Sequence, residues 1–299
     1  MNKDEVRSKV CEKLRERLSE KYDIADVSIV EYTKNNGIKV EGISVKVIGC
    51  DTMPCIYSVK YDEIRTEKDL IDITDGLYDA FDKAIINAEN AFIPTEIDFE
   101  SSRDRIFLSL VNYEMNKDSL KSCPHILFND LAVTFRLAFS IDESNASALI
   151  SDGLADAWDV STEELWNIAI ENSVRDLPVY IERLENVLRK RMELDDITEA
   201  EIAANPFYIV TNRRLYYGAS SILYNDVPDS IYENLGCNYY ILPSSINELI
   251  IVPENVCCDR LFLKGMVESV NKTLCSRTEY LSDSVYYYDH DEKKISIAS

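Results

Sequence analysis

The sequence predicts an α+β protein in which mixed, largely antiparallel sheets pack against helices. Three observations point there. Short runs of alternating apolar residues recur between turn signals, as half-buried strands require. Longer segments repeat apolar residues every three or four positions, as helices buried on one side do. The two kinds of segment are interspersed without a sustained strand–helix–strand repeat, which disfavours a doubly wound parallel sheet.

Residues 3–20 read as the first helix, with Val6, Val10, Leu14 and Leu18 on one face. The period then changes. Val27 and Ile29 alternate with polar neighbours, Lys34-Asn35-Asn36-Gly37 supplies turn chemistry, and Ile38, Val40, Ile43, Val45 and Val47 resume the apolar rhythm. Asn36-Gly37 tolerates the positive φ angles of a tight hairpin. A third strand is predicted from Cys55 to Val59, after the Met53-Pro54 break. A second helix is predicted over residues 69–88, its stripe formed by Leu70, Ile73, Leu77, Phe81 and Ile85. Thr66 and Asp69 have the spacing of a capping box for its start. These elements predict an N-terminal module over residues 1–90.

Residues 91–299 are expected to form a larger α+β region, with a candidate subdivision near 190–205. Its first strand is Ile106 to Val111, followed by two more around Asn129-Asp130 and a short one from Ser147 to Ile150. Ser161-x-x-Glu164 caps a helix over 161–173, which Pro178 limits. Ile181, Leu184 and Leu188 suggest a further helix, ending in the charged stretch from Arg189 to Glu201. Next come a strand at Phe207–Val210 and a short helix from Ser230 to Leu235 with Gly236 as its stop. Tyr239–Leu242 and Leu249–Val252 read as adjacent strands joined by four to six residues. Leu261, Met266, Val267 and Val270 mark a last helix, and Lys293–Ile297 a closing edge.

Composition narrows the function classes. Of 299 residues, 54 are acidic and 32 are lysine or arginine, giving a formal charge of −22. At 46% hydrophobic the chain can still build a core. A field of that sign repels phosphate backbones and anionic lipid, so direct nucleic-acid binding is disfavoured. The apolar runs fall short of the ~20 residues a membrane span needs, and no apolar leader follows Met1-Asn2-Lys3, so a cytoplasmic location is expected. The eight cysteines include no Cys-x-x-Cys pair, and His125 and His290 are far apart. Reduced thiols are expected, with neither a zinc cluster nor a disulfide framework, and no cofactor is implied.

Catalytic signatures are missing. The chain has no Gly-x-Ser-x-Gly elbow, phosphate-binding glycine loop, His-Glu-x-x-His helix or dinucleotide fingerprint, so no catalytic or metal residue is assigned. Cys123-Pro124-His125 puts a thiol near an imidazole without an orienting group. The visible chemistry is acidic. Asp72, Asp75, Asp79 and Asp82 share one helix face and form the candidate partner surface, expected to be solvated. Residues 141–171 add eight carboxylates and no lysine or arginine. A basic protein or peptide is the partner such charge selects. Ser244 and Ser245, with Asn247, Glu248 and Tyr217, form the candidate pocket. Tyr216 and Tyr224 could add polar-tipped aromatic surface, and Tyr286-Tyr287-Tyr288 either anchors a partner or seals a sheet edge.

Five segments carry a resemblance. They are Lys34–Ile43, Pro206–Asn212, Tyr217–Ser220, Asn238–Pro253 and Leu281–Asp289, the strongest being Asn238-Tyr239-Tyr240-Ile241-Leu242-Pro243-Ser244-Ser245-Ile246-Asn247-Glu248. Together they resemble the bacterial domain of unknown function 5688 family over nearly the whole chain. That family often has histidine where Asn247 stands here, and it transfers no activity. The expectation is an intracellular binding or regulatory protein with an acidic interaction surface. The alternative is a hydrolase whose site uses distant carboxylates or the loop around Ser244.

Overall fold

The apolar stripe at the start of the chain becomes helix α1 (Lys3–Ser19), which buries Val6, Val10, Leu14 and Leu18. The computed structural model describes residues 3–49, 56–59, 61, 64–90, 98–138, 147–192, 207–256 and 259–298. Strands β1 (Ile24–Thr33) and β2 (Lys39–Val47) pair antiparallel from Ile24 opposite Val47 to Thr33 opposite Lys39. Asn36 and Gly37 hold positive φ in the turn between them. Strand β3 (Ile56–Ser58) adds to β2; Cys55 and the Met53-Pro54 break lie outside the described residues.

Helix α2 (Glu67–Asn90) begins at the predicted capping box. The Thr66 amide donates to Asp69 Oδ2 at 2.8 Å, and the Asp69 amide donates to Thr66 Oγ1 at 3.1 Å. Leu70, Leu77, Phe81 and Ile85 join the α1 stripe, Val27, Ile43 and Val45 in one core. Tyr57 meets Phe81 edge-on at 4.7 Å. Each fully buried aliphatic side chain here stabilises by about 1.5–3 kcal/mol.

The chain forms two compact units, one of Met1–Lys34 with Ile38–Asp98, the other of Asn35–Gly37 with Phe99–Ser299. The hairpin turn thus belongs to the second unit. Asn36 donates its amide to Asn116 Oδ1 and receives Asn116 Nδ2 on its own side-chain oxygen, both at 2.8 Å. Its Nδ2 reaches the carbonyls of Arg277 and Tyr280. A short, positive-φ side chain with a donor and an acceptor suits that place.

In the second unit, helix α3 (Phe99–Ser102) leads into strand β4 (Ile106–Asn112), every residue of which is buried. After helix α4 (Lys117–Leu120), strands β5 (His125–Phe128) and β6 (Leu131–Ala138) form a hairpin turning at Asn129 with φ 57°. Strand β7 (Ser147–Leu149) completes this sheet: β6 pairs β4, β5 and β7, all antiparallel. Helices α5 (Asp152–Trp158) and α6 (Thr162–Asp176) follow, the second with the predicted Ser161–Glu164 capping box complete. Asn172 and Ser173 of α6 bind β4 directly. Asn172 Nδ2 donates to the Ile106 carbonyl, and Ser173 Oγ accepts the Leu108 amide.

The other sheet has strand order β13-β12-β10-β11-β9-β8, again antiparallel throughout. It comprises β8 (Val179–Arg183), β9 (Tyr208–Asn212), β10 (Tyr239–Ser245), β11 (Glu248–Pro253), β12 (Tyr286–Asp289) and β13 (Lys294–Ile297). Helices α7 (Leu184–Met192), α8 (Val227–Leu235) and α9 (Arg260–Thr273) accompany it. Gly236 ends α8 in the left-handed region, as expected. Leu263 and Val267 of α9 pack on Tyr240, Leu242 and Val252. Of the tyrosine triplet, Tyr286 and Tyr288 are buried inside the sheet. The fold is therefore α+β with largely antiparallel sheets.

Two local readings are corrected. Ile181 lies in a strand, because Val179-Tyr180-Ile181 pairs with β9 and the helix begins only at Leu184. Pro243 to Ser245 is strand rather than connection, leaving only Ile246 and Asn247 between β10 and β11. The register shifts between Pro243 and Ser245, and such an irregularity accommodates a residue without an amide proton. The 193–206 stretch, which holds most of the predicted linker, lies outside the described residues.

Candidate functional site

The aspartates of α2 do not share one environment. Asp72, Asp75 and Asp79 are exposed. Asp75 pairs with Arg17 of α1. Asp82 is half-buried and accepts from Lys21 Nζ and Tyr22 OH, both at 2.6 Å. The Lys21 and Tyr22 bonds hold its carboxyl below the usual carboxylate range. Arg17 also stacks over the Tyr78 ring at 4.5 Å. Two of the four carboxylates therefore pair with cations of the first segment, because Arg17 in the last turn of α1 and Lys21 just beyond its end face α2.

The Ser244 loop proves to be a knot of backbone capture. Asn247 Oδ1 accepts the Tyr217 amide at 3.0 Å, the Asn247 carbonyl accepts Thr211 Oγ1 at 2.6 Å, and the Asn247 amide donates to Ser245 Oγ at 3.1 Å. Tyr217, Ser245 and Asn247 are thus brought together. Ser244 and Glu248 are half-buried beside them. Asn212 builds the facing half: its Nδ2 donates to the Tyr216 carbonyl, and its Oδ1 accepts the amides of Arg214 and Tyr216. Leu215 and Tyr217 bracket Tyr216 with φ of 54° and 49°. Left-handed backbone costs an L-residue about 1–2 kcal/mol, so two such residues persist only where surrounding bonds fix them.

This fixed loop sets Arg214 and Tyr216 on a cleft whose opposite wall is Ile106 and Phe107 at the start of β4. Ala138 and Leu177 add apolar lining, while Arg105, also on the cleft, donates its guanidinium to the Ser101 carbonyl. Tyr216 and Tyr217 stack edge-on at 4.6 Å, with Phe107 5.8 and 5.9 Å from their rings. The Tyr216 hydroxyl meets Ser147 Oγ at 2.6 Å, and burial pushes its pKa up. Arg136 donates to Ser147 and lies 4.7 Å over the Tyr217 ring. Tyr224 is buried, its hydroxyl given to the Leu177 carbonyl.

Sequence reasoning singled out the tyrosines but missed Arg105, Arg136 and Arg214. The available signal was Arg213-Arg214 beside Tyr216-Tyr217 in an otherwise acidic chain. His290, named in the sequence only as far from His125, stacks on Tyr232 at 3.7 Å and meets Asp229 at 3.3 Å. Lys293 takes the same Asp229 oxygen at 2.7 Å, so that carboxylate is shared rather than dedicated to the imidazole. His125 instead contacts the Cys123 carbonyl at 2.9 Å. Cys11, Cys123, Cys237 and Cys275 are free thiols, and burial raises the pKa of Cys11, Cys123 and Cys275. Cys50, Cys55, Cys257 and Cys258 lie outside the described residues. Among the described residues no group of three or more His, Cys, Asp or Glu is placed to hold a metal ion. Nor is any described helix long and apolar enough to cross a membrane.

Fold and site together define an α+β protein of two units, with a strained arginine–tyrosine loop beside a small cleft in the second. The chain belongs to the family of unknown function DUF5688, which it matches over residues 3–290. No curated protein and no solved structure matches it.

Proposed function

We propose that the protein is a partner-binding protein whose acidic α5–α6 face receives a basic protein or peptide. The observation that carries this reading is uncompensated charge beside aromatic anchors. Asp152, Asp156, Asp159, Glu163 and Glu171 are all exposed, and none makes an ion pair among the described residues. The first basic residue after them is Arg175. Both tryptophans of the chain, Trp158 and Trp166, are half-buried on the same helices. Tryptophan with a carboxylate rim is the chemistry that recognises lysine and arginine side chains, through cation–π contact and charge pairing. The α2 face, which has given Asp75 and Asp82 to α1, offers only Asp72 and Asp79.

Intrinsic fluorescence tests the reading directly, since both fluorophores lie on the proposed surface. A lysine- and arginine-rich peptide should shift tryptophan emission saturably, and more weakly as salt rises. The combined change Asp156→Asn, Glu163→Gln and Glu171→Gln should weaken binding about tenfold or more. Neutralising Asp72 and Asp79 should leave it within about twofold. Loss in the α2 variant alone would move the surface there, and equal binding by all three proteins would reject an acidic docking face.

A further inference from the structure

Strand β1 is the longest strand among the described residues, and it lies at the edge of its sheet. Which of its backbone groups face outward follows from the register. The Lys34 amide donates to the Ile38 carbonyl at 2.8 Å, and bonded and non-bonded pairs alternate along an antiparallel ladder. Ser28, Val30 and Tyr32 therefore bond β2, opposite Ser44, Gly42 and Val40. Val27, Ile29, Glu31 and Thr33 turn their N–H and C=O groups to the free edge, where no partner meets them among the described residues.

Natural proteins blunt so long an edge with proline or with charge. Strand β1 holds no proline, and each of its two charged side chains is already neutralised, Asp26 by Arg15 at 3.3 Å and Glu31 by Lys39 at 3.0 Å. Beside the edge lies a groove of about 340 Å³ between α1 and β1, lined by Arg7, Ser8 and Cys11 on one side and by Val27 and Ile29 on the other. A row of unpaired backbone groups next to a groove that takes side chains is the geometry that accepts an added strand.

The sequence of β1 specifies which strand. For a second copy paired across a two-fold axis, residue i meets residue j and j meets i. Placing the axis at Val30 sets Ile29 against Glu31 and Val27 against Thr33 in bonded pairs, for about eight ladder hydrogen bonds. On the other face of the sheet Val30 meets its own copy, Ser28 meets Tyr32 and Asp26 meets Lys34. Lys34 is exposed, lies 5.8 Å over the Tyr32 ring and makes no ion pair among the described residues, so the second copy supplies its counter-charge. Moving the axis to Glu31 would set that carboxylate against itself, and moving it to Ile29 loses the Asp26–Lys34 pair. Val27 and Ile29 face the core of the unit, so Thr33 and Glu31 of the second copy fall beside them at the groove, where Arg7 and Ser8 offer polar company.

We propose that the β1 edge pairs with the β1 edge of a second copy of this chain, joining their three-stranded sheets into one continuous sheet across a two-fold axis at Val30. This interface belongs to the first unit and does not rest on the acidic face of α5 and α6.

Sedimentation equilibrium of the full chain tests it, and the expected mass is twice 34.2 kDa. A single-chain mass at every concentration up to about 100 μM would overturn the proposal. Glu31→Pro removes an outward amide that the β1–β2 ladder does not use. It should weaken association at least about tenfold, with the far-UV circular dichroism unchanged. Asp26→Lys and Lys34→Asp, each alone, set like charges opposite one another and should weaken association about tenfold. The two changes combined should bring it back to within about threefold of the parent, a rescue specific to a second copy in this register. Dimers that survive Glu31→Pro in folded protein, or single and double charge variants of equal affinity, would place the interface elsewhere and reject the pairing.

Discussion

Replacing Gly218 with alanine should destabilise the second unit through sterics alone. A Cβ built there lies 2.1 Å from Thr211 Oγ1, 2.4 Å from the Asn247 carbonyl oxygen and 2.8 Å from the Asn212 amide nitrogen. Two of those neighbours are backbone atoms of the knots that hold the arginine–tyrosine loop, so they cannot step aside cheaply. Forcing one methyl into a packed site costs about 1–3 kcal/mol. Swinging Thr211 away removes its 2.6 Å bond to the Asn247 carbonyl and strands a buried hydroxyl, adding about 1 kcal/mol. The expected loss is about 3 kcal/mol. For a unit of this size it lowers the melting temperature by about 6–12 °C. Tryptophan fluorescence reports this unit selectively, since Trp158 and Trp166 both belong to it. Denaturant midpoints for the two proteins, at unchanged slope, give the difference. A Gly218→Ala protein within 0.5 kcal/mol of the parent would refute the argument that backbone capture fixes this loop.

The same reasoning gives further expectations. Gly76 sits inside α2 with nothing within 4 Å of a built Cβ, so Gly76→Ala should stabilise the first unit by about 0.5–1 kcal/mol, read by far-UV circular dichroism. Phe81 is 2% exposed, and Phe81→Ala should cost about 3–5 kcal/mol, against less than ~0.5 kcal/mol for the exposed Asp79→Asn; equal losses would place Asp79 in a buried role. Asp82 is held below its ordinary pKa by Lys21 and Tyr22. Its contribution is present above the unfolded carboxylate value of about 4 and is lost as pH falls through the depressed folded value. Stability of Asp82→Asn should therefore differ from the parent at neutral pH and converge with it in acid, and a constant gap would contradict that linkage. Asn36→Gly keeps access to positive φ and the backbone amide bond to Asn116 but loses the three side-chain bonds of the turn, so Asn36→Ala, strained at positive φ as well, should be the less stable of two destabilised variants; the test is loss of tryptophan-monitored stability in both, in that order.

What could be read from the sequence was local. The stripes of α1 and α2, both capping boxes, the Asn36-Gly37 and Asn129 turns and the Gly236 stop each follow from residues within a few positions of one another. Ile181 was misread because three apolar residues spaced three and four apart mimic a helix, whereas pairing with β9 decides the outcome. The pairing of Asp75 with Arg17 spans 58 residues and that of Asp82 with Lys21 spans 61, so periodicity alone reveals neither partner; Asp75 is exposed as expected, whereas Asp82 is half-buried. The cleft was still less visible. Arg105 precedes β4, Arg136 lies on β6 and Arg214 follows β9, and no spacing rule connects them.

The segments that carry the family resemblance are bound to one another and have little bonding capacity to spare for a substrate. Asn36 uses its amide, side-chain nitrogen and side-chain oxygen on Asn116, Arg277 and Tyr280. Asn247 and Asn212 each use both ends of the side-chain amide, Asn247 on Tyr217 and Glu279 and Asn212 on the backbone of residues 214–216. Asp130 accepts hydroxyls from Ser282, Ser284 and Tyr286 at 2.6, 2.9 and 2.6 Å. A polar group saturated in this way holds the fold, because freeing it for a ligand would cost about 1–3 kcal/mol per buried bond. Groups with unused capacity are the better place to look for function. Here they are the unpaired carboxylates of α5 and α6 and the guanidinium of Arg214, all within the second unit.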